Sequence, residues 1–218
     1  MVNTETYSQL KATFTEKNIT LVAVSKLKPV ADIQALYELG QRDFGENYVQ
    51  ELTEKEQLLP KDIRWHFIGH LQTNKVKYIA PFVHLIHGID SYKLLKEINK
   101  QGQKNNKVIQ VLLQIHIAQE ETKFGMNEKE LDEALTQWVD EKLNNVAICG
   151  LMGMASYSED KVQVKKEFAF LHSLFERYRI QFPSLNILSM GMSGDYQLAV
   201  TEGSTMVRVG SLLFGARK

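Results

Sequence analysis

Eight short, mostly apolar runs, most of them separated by a stretch of helical periodicity, constrain this chain more than any other feature. They are Ile19–Val24, Asp43–Gly45, Trp65–Gly69, Val83–His87, Val108–Ile117, Val146–Met152, Leu185–Leu188 and Met206–Val209. Runs of aliphatic and β-branched residues without a helical period read as parallel strands buried on both faces. Between them, apolar residues recur at helical spacing: Val30, Ile33, Leu36 and Tyr37; Leu94, Leu95 and Ile98; Leu131, Leu135 and Trp138; Phe168, Leu171, Leu174 and Phe175. Pro29 suits the first turn of one helix, Gly40 its end, and Ser91 and Asn127 the caps of two others. A further helix over Thr4–Lys17, carrying Leu10 and Phe14, precedes the first strand. This alternation predicts an α/β fold: a single (β/α)8 TIM barrel with an additional N-terminal helix, residues 1–218 forming one domain. An open doubly wound sheet is the competing arrangement. The lack of a glycine-rich fingerprint after the first strand weighs against it.

Composition bounds the partners. At 218 residues and 44% hydrophobic content the chain can bury one sizeable core. Its 26 basic residues balance 26 acidic ones, which speaks against a nucleic-acid or anionic-membrane surface. The polar N-terminus lacks the basic and apolar regions of a signal peptide, and no apolar stretch approaches the roughly 18 residues of a membrane span. Cys149 is the sole cysteine, so an intramolecular disulfide is excluded and a reducing compartment fits. A cytoplasmic monomer is the expectation.

The chemistry starts at Ser25-Lys26-Leu27-Lys28-Pro29, where the first apolar run stops. If the strand reaches Lys26, alternation puts that lysine on the same face as Val22 and Val24, pointing into a core. A lysine desolvated there can form a Schiff base with an aldehyde or ketone. Lys28 is the competing amine, but the residue before a proline is held extended, which reads as an exposed position at the helix entrance. In a (β/α)8 barrel the working face is the C-terminal end of the strands, and phosphate is commonly held after strands seven and eight. Here those segments carry Gly191, Gly194 and Gly210 with Ser189, Ser193 and Ser211. Glycines admit an anion close to the backbone and serines add donors. An aldehyde-capturing lysine facing a phosphate cradle is what pyridoxal 5'-phosphate requires.

Long ordered motifs strengthen that reading. Val24–Pro29, Phe44–Glu51, Trp65–Gly69 with Leu71–Lys75, Gly150–Met152, Leu188–Ser193, Gly203–Gly210 and Phe214–Arg217 closely resemble the pyridoxal phosphate homeostasis protein family. The resemblance covers nearly the whole chain and implies a barrel like that of alanine racemase. It also implies pyridoxal phosphate held as an internal aldimine on Lys26, the phosphate on the seventh- and eighth-strand loops, and Asn47 lining the pocket. His70 and Ser211 depart from the residues frequent in the family, proline and threonine.

With the cofactor in place, Arg208 is assigned to its pyridine nitrogen. An always-protonated arginine keeps that nitrogen unprotonated and the ring a weak electron sink. Asp195 in the same place would instead argue for transaminase-like chemistry. A metal pair from His66 and His70 lacks a third ligand or a helical motif, so no metal is expected, and His66 reads as a hydrogen-bonded histidine near the mouth. Glu51–Glu56 reads as a solvated helix face. Met152, Met154, Met190 and Met192 read as padding for the core and pocket floor, and Cys149 as a small buried hydrophobe.

Two functions remain open. One is a pyridoxal phosphate-dependent racemase or related amino-acid enzyme. That chemistry needs an acid/base on each face of the substrate carbon, whereas one lysine supplies one face and little chain follows the eighth strand. The other is a carrier that binds the cofactor and delivers it to pyridoxal phosphate-dependent apo-enzymes, with little or no turnover of its own. The quiet ring and the resemblance favour the carrier. A lysine aldolase, with the serine and glycine loops on a sugar phosphate, is a third possibility.

Overall fold

The sheet closes on itself. The computed structural model describes residues 2–120 and 123–215, so Ala216 and Arg217 of the C-terminal motif lie outside the described residues. Its strands are β1 (Thr20–Val24), β2 (Asp43–Glu46), β3 (Arg64–Phe67), β4 (Leu85–Ile89), β5 (Ile109–Ile115), β6 (Val146–Gly153), β7 (Ile187–Met192) and β8 (Met206–Val209). They pair in parallel in chain order, and β8 returns to β1 with Thr20 opposite Met206 and Ala23 opposite Val209. Closure rules out the open sheet.

Outside the barrel run α1 (Thr4–Glu16), α2 (Val30–Glu38), α3 (Val49–Leu58), α4 (Val76–Ile79), α5 (Tyr92–Lys104), α6 (Glu128–Asp140), α7 (Lys161–Gln181), α8 (Tyr196–Thr201) and α9 (Ser211–Phe214). A 3-10 turn, Thr73–Lys75, leads into α4. Asn127 caps α6 with a full capping box: its Oδ1 accepts the Glu130 N–H at 3.0 Å, and the Glu130 carboxylate accepts the Asn127 N–H at 2.8 Å. Ser91 and Pro29 do stand at the caps of α5 and α2, yet neither side chain bonds a helix N–H. Pro29 is the cap itself, not a first-turn residue. Gly40, at φ +92, takes the left-handed step after α2 that a side chain would resist.

Alternation along each strand sorts the core into two parts. Ala23, Phe44, Trp65, Phe67, Ile86, Leu188 and Val207 pack between sheet and helices. Val22, Leu85, Leu112, Met152 and Met206, from five strands, form a separate cluster that plugs the interior. No helix among the described residues is long and apolar enough to cross a membrane.

The fourth and seventh strands both start and end later than expected, and the third and fifth stop two residues short, at Phe67 and Ile115. The fourth runs Leu85–Ile89 and not Val83–His87, because the Val83 N–H still bonds Ile79 at the end of the preceding helix. It continues through Gly88, where a Cβ would lie 2.8 Å from the Gly69 carbonyl oxygen. The seventh runs Ile187–Met192 and not Leu185–Leu188, so Ser189 sits within the strand and not in the loop after it.

Close strand packing makes one glycine irreplaceable. Gly150 stands opposite Ile187, and a Cβ there would lie 1.8 Å from the Ile187 carbonyl oxygen. Gly150→Ala is expected to lower unfolding stability by about 1–3 kcal/mol or more in urea denaturation, since backbone and not a flexible side chain must give way.

Candidate functional site

Lys26 lies beyond the end of β1, not in it. The chain turns at Ser25, and the Lys28 N–H closes the turn on the Ser25 carbonyl at 3.0 Å. Alternation therefore holds for Val22, inside the barrel, but the turn rather than the strand carries Lys26 to the C-terminal mouth, where it is half-buried. Leu27 pays for that geometry with φ +60, a left-handed conformation that a branched side chain resists.

A buried charge network holds the turn. The Leu27 N–H donates to Glu51 Oε1 at 2.6 Å, and Lys55 Nζ donates to Glu51 Oε1, Glu46 Oε1 and the Ser25 carbonyl at 2.6, 2.8 and 2.8 Å. Ser25 Oγ donates to Glu46 Oε1 at 2.6 Å. Burial pushes the Glu46 pKa up, against the opposing pull of Lys55 and Ser25. The expected solvated face of Glu51–Glu56 is thus corrected at Lys55, which is 5% exposed and serves the turn. Sequence reasoning missed this because an i,i+4 Glu–Lys pair looks the same on a wet helix and under a loop.

Lys28 is half-buried and committed elsewhere. Its Nζ donates to the carbonyls of Phe214 and Gly215 at 3.0 and 3.3 Å, tying the β1 turn to the end of α9. The expectation of an exposed Lys28 is corrected: it is a tether between two loops of the rim.

Because β1 pairs with β8, the loop after β8 lies against the Lys26 turn. A Cβ on Gly210 would meet Val24 Cβ and the Val24 carbonyl at 3.3 Å. The Gly210 N–H donates to Ser193 Oγ at 3.2 Å, which joins the loops after β7 and β8. Gly191, at φ +95, turns β7 toward that junction. Ser211 opens α9 and is exposed; Asn47, in the loop after β2, is half-buried. Asp195 Oδ1 accepts the Met192 N–H at 2.5 Å, and burial pushes its pKa up while that bond and the Arg208 charge oppose.

Arg208 is 4% exposed and faces inward two residues after Met206. It donates to the Ser189 carbonyl at 3.0 Å, to Ser189 Oγ at 2.7 Å and to the Gly153 carbonyl at 3.1 Å. Among the described residues no carboxylate lies within salt-bridge distance of it. Desolvation lowers its pKa to about 10, with the Asp195 charge opposing, so it stays protonated at neutral pH.

His66 is hydrogen-bonded as expected, but deep in the barrel and not near the mouth. Its Nε2 lies 3.1 Å from Asp43 Oδ1, and its Nδ1 lies 2.9 Å from His87 Nε2. His70 is at the rim, stacked on Phe124 and 3.1 Å from Asp90, so the two histidines do not meet. Asp43, His66 and His84 do bring three ligand atoms within 4.8 Å of one another. Both Asp43 oxygens already accept from Arg64, at 2.7 and 2.5 Å, so an ion there would have to displace a guanidinium. Burial pushes the Cys149 thiol up, away from nucleophilic use.

The family described as alanine racemase, N-terminal domain, matches residues 4–218. A protein of Vibrio alginolyticus named pyridoxal phosphate homeostasis protein is 40% identical over 216 residues, covering 97% of this chain and 92% of the relative. One of the same name from Aquifex aeolicus is 42% identical over 200 residues, covering 91% and 87%. The crystal structure of PipY from Synechococcus elongatus without PLP superposes with a TM-score of 0.90 at 34% identity, covering 97% of this chain and 99% of that one. The same protein with PLP bound gives 0.87. The Vibrio and Aquifex relatives carry the name of homeostasis protein and not of an enzyme.

Two expectations follow from the buried charges. Lys55→Met strands Glu46 and Glu51 and is expected to cost about 3–5 kcal/mol in urea unfolding, with Lys55→Met/Glu46→Gln recovering part of the loss. Burial alone would raise the Asp43 pKa, but bonds from His66 and Arg64 outweigh it and hold the carboxyl well below the usual range. A depressed folded pKa contributes stability above the unfolded pKa and loses it as pH falls through the folded one. Asp43→Asn should therefore be clearly less stable than the native chain at pH 7, and the gap should narrow steadily below about pH 4.

Proposed function

The chain belongs to the pyridoxal phosphate homeostasis protein family, and on that premise we propose that it binds pyridoxal 5'-phosphate at the C-terminal mouth of the barrel and passes it on. The observation that carries this reading is the pairing of β1 with β8, which sets the Lys26 turn beside the joined loops at Ser193 and Gly210. An amine and an anion cradle then share one rim, as an aldehyde bearing a phosphate requires. The cofactor supplies an aldehyde that an amine can capture and a ring that can delocalise negative charge.

The chain's residues divide the work. Lys26 is the amine that attaches the cofactor, positioned by the Glu46–Lys55–Glu51 network. Ser193, Gly210 and Ser211 receive the phosphate, and Asn47 lines the pocket. Arg208 donates to the pyridine nitrogen; as a lasting cation it offers a hydrogen bond without handing over a proton, which leaves the ring a poor electron sink. Ser189, bonded to Arg208 inside β7, serves the cofactor through that arginine and not as a phosphate ligand.

Binding and delivery without turnover of amino acids fits this electronics. Leu27, Tyr48, Phe124 and Tyr157, exposed by 63, 54, 52 and 100%, follow strands on the mouth side, and Met192, which ends β7, is 38% exposed and not the core padding expected of it. Such a rim suits contact with pyridoxal phosphate-dependent apo-enzymes receiving the cofactor. A monomer leaves that rim accessible, and the cytoplasm, where such enzymes work and the Cys149 thiol stays reduced, is the compartment that fits.

The test is the visible spectrum of the purified protein with pyridoxal phosphate, before and after borohydride, followed by peptide mapping. The adduct should map to Lys26, vanish in Lys26→Ala and survive in Lys28→Ala. Loss in the second variant alone would move the role to Lys28. Steady production of enantiomer, keto acid or amine from any amino acid would refute the carrier reading.

A further inference from the structure

We propose that His87, backed by His66 and Asp43, is a positioning residue for Arg208, acting through the Ser189 hydroxyl. The inference rests on the reading that Arg208 meets the cofactor ring, and it concerns what aims the guanidinium from below.

Five inward-facing side chains on five strands form one hydrogen-bonded chain across the barrel. Arg208 on β8 lies 2.7 Å from Ser189 Oγ on β7, and that oxygen lies 3.3 Å from His87 Nδ1 on β4. His87 Nε2 lies 2.9 Å from His66 Nδ1 on β3, and His66 Nε2 lies 3.1 Å from Asp43 Oδ1 on β2. Arg64 closes the far end on Asp43 and is half exposed at the N-terminal face.

The two ends fix the direction of every bond between them. A guanidinium only donates and an ionised carboxylate only accepts. Arg208 donates to Ser189 Oγ, so the Ser189 proton is free to go to His87 Nδ1. His87 is wholly buried, and desolvation, with the Arg208 charge acting in the same direction, holds its pKa well below that of an ordinary imidazole. It is therefore neutral, with its proton on Nε2, and donates to His66 Nδ1. His66 then carries its own proton on Nε2, for Asp43. Every donor on this path meets an acceptor. A doubly protonated His66 would reverse two bonds and leave the Ser189 proton without its acceptor on His87, which is costly in a buried site. The tautomers follow from this bonding inventory.

The consequence falls on Arg208. With the Ser189 proton drawn down to His87, the oxygen's lone pair faces the guanidinium, and its plane is fixed by three acceptors on β6 and β7. Remove the His87 acceptor and the hydroxyl swings, so Arg208 loses its shortest bond and its aim.

The experiment compares His87→Leu, which removes the acceptor, with His87→Asn, whose Oδ1 can replace Nδ1. Titrated with pyridoxal phosphate, His87→Leu should shift the absorption band of the bound chromophore and weaken binding about tenfold or more, while His87→Asn stays within about twofold of the native chain. Ser189→Ala, which cuts the same link with little change of volume, should reproduce the band shift and stands in if His87→Leu does not fold. A cofactor-free readout separates this proposal from the reading beneath it. In 15N spectra of the apo protein His87 should appear as the Nε2–H tautomer, and the Arg208 guanidinium signals should move in His87→Leu and return in His87→Asn. Native protein that takes up no cofactor, yet shows those signals, would sink the binding reading and keep the chain. An Nδ1–H His87, or Arg208 signals and absorption band indifferent to His87→Leu and Ser189→Ala, would overturn the chain itself.

Discussion

Closing eight strands into a barrel creates an interior from which water is largely excluded, and every polar group that points inward must find its partner there. Half of this interior meets the demand by avoiding it: Val22, Leu85, Leu112, Met152 and Met206 fill it with apolar volume. The other half carries Asp43, His66, His87, Ser189 and Arg208, whose bonds run continuously from β2 to β8. An orphaned donor or acceptor among them would cost about 1–3 kcal/mol, a large part of the margin by which a domain stays folded. Satisfaction of the interior and orientation of Arg208 are therefore one physical requirement.

A second requirement acts at the rim. The turn that presents Lys26 needs Leu27 in a left-handed conformation, and nothing in the sequence lowers that cost, since neither glycine nor asparagine stands there. The cost is offset by a bond from the Leu27 N–H to Glu51, which Lys55 and Glu46 hold in place from beneath. Strain kept at one residue by a buried ion network is a way of fixing a loop that must not wander. Lys28, bonded to the end of α9, clamps the same turn from its other side.

What could be read from sequence follows from how local each signal is. The Asn127 capping box is a four-residue pattern and stands as expected. Strand order and helix placement come from periodicity and also hold. The fourth and seventh strands run on through Gly88 and Gly191, because inside a crowded barrel a glycine can mark where another backbone or side chain approaches too closely for a Cβ. Lys55 and Lys28 were misread because charge on a helix or before a proline says nothing about what packs over it. The interior chain did leave a trace: Trp65-His66-Phe67, Ile86-His87-Gly88, Leu188-Ser189-Met190 and Val207-Arg208-Val209 each place one polar residue between outward-facing neighbours. Period-two alternation puts all four inside a barrel. Only closure shows that they touch.

Affinity and reactivity part company at Arg208. An enzyme using this cofactor benefits when the ring nitrogen is protonated, because the ring then accepts electrons from the substrate carbon. A carrier needs the ring held firmly and chemically quiet. A guanidinium whose pKa, though lowered by burial, stays near 10 keeps its own proton at neutral pH, so on the reading proposed here it contributes a directed hydrogen bond and withholds the activation. The donor-only character that orders the chain down to Asp43 is the same property that, on the proposed reading, would keep the ring unprotonated. On that proposed reading, holding the cofactor and leaving it inert are two results of one side chain.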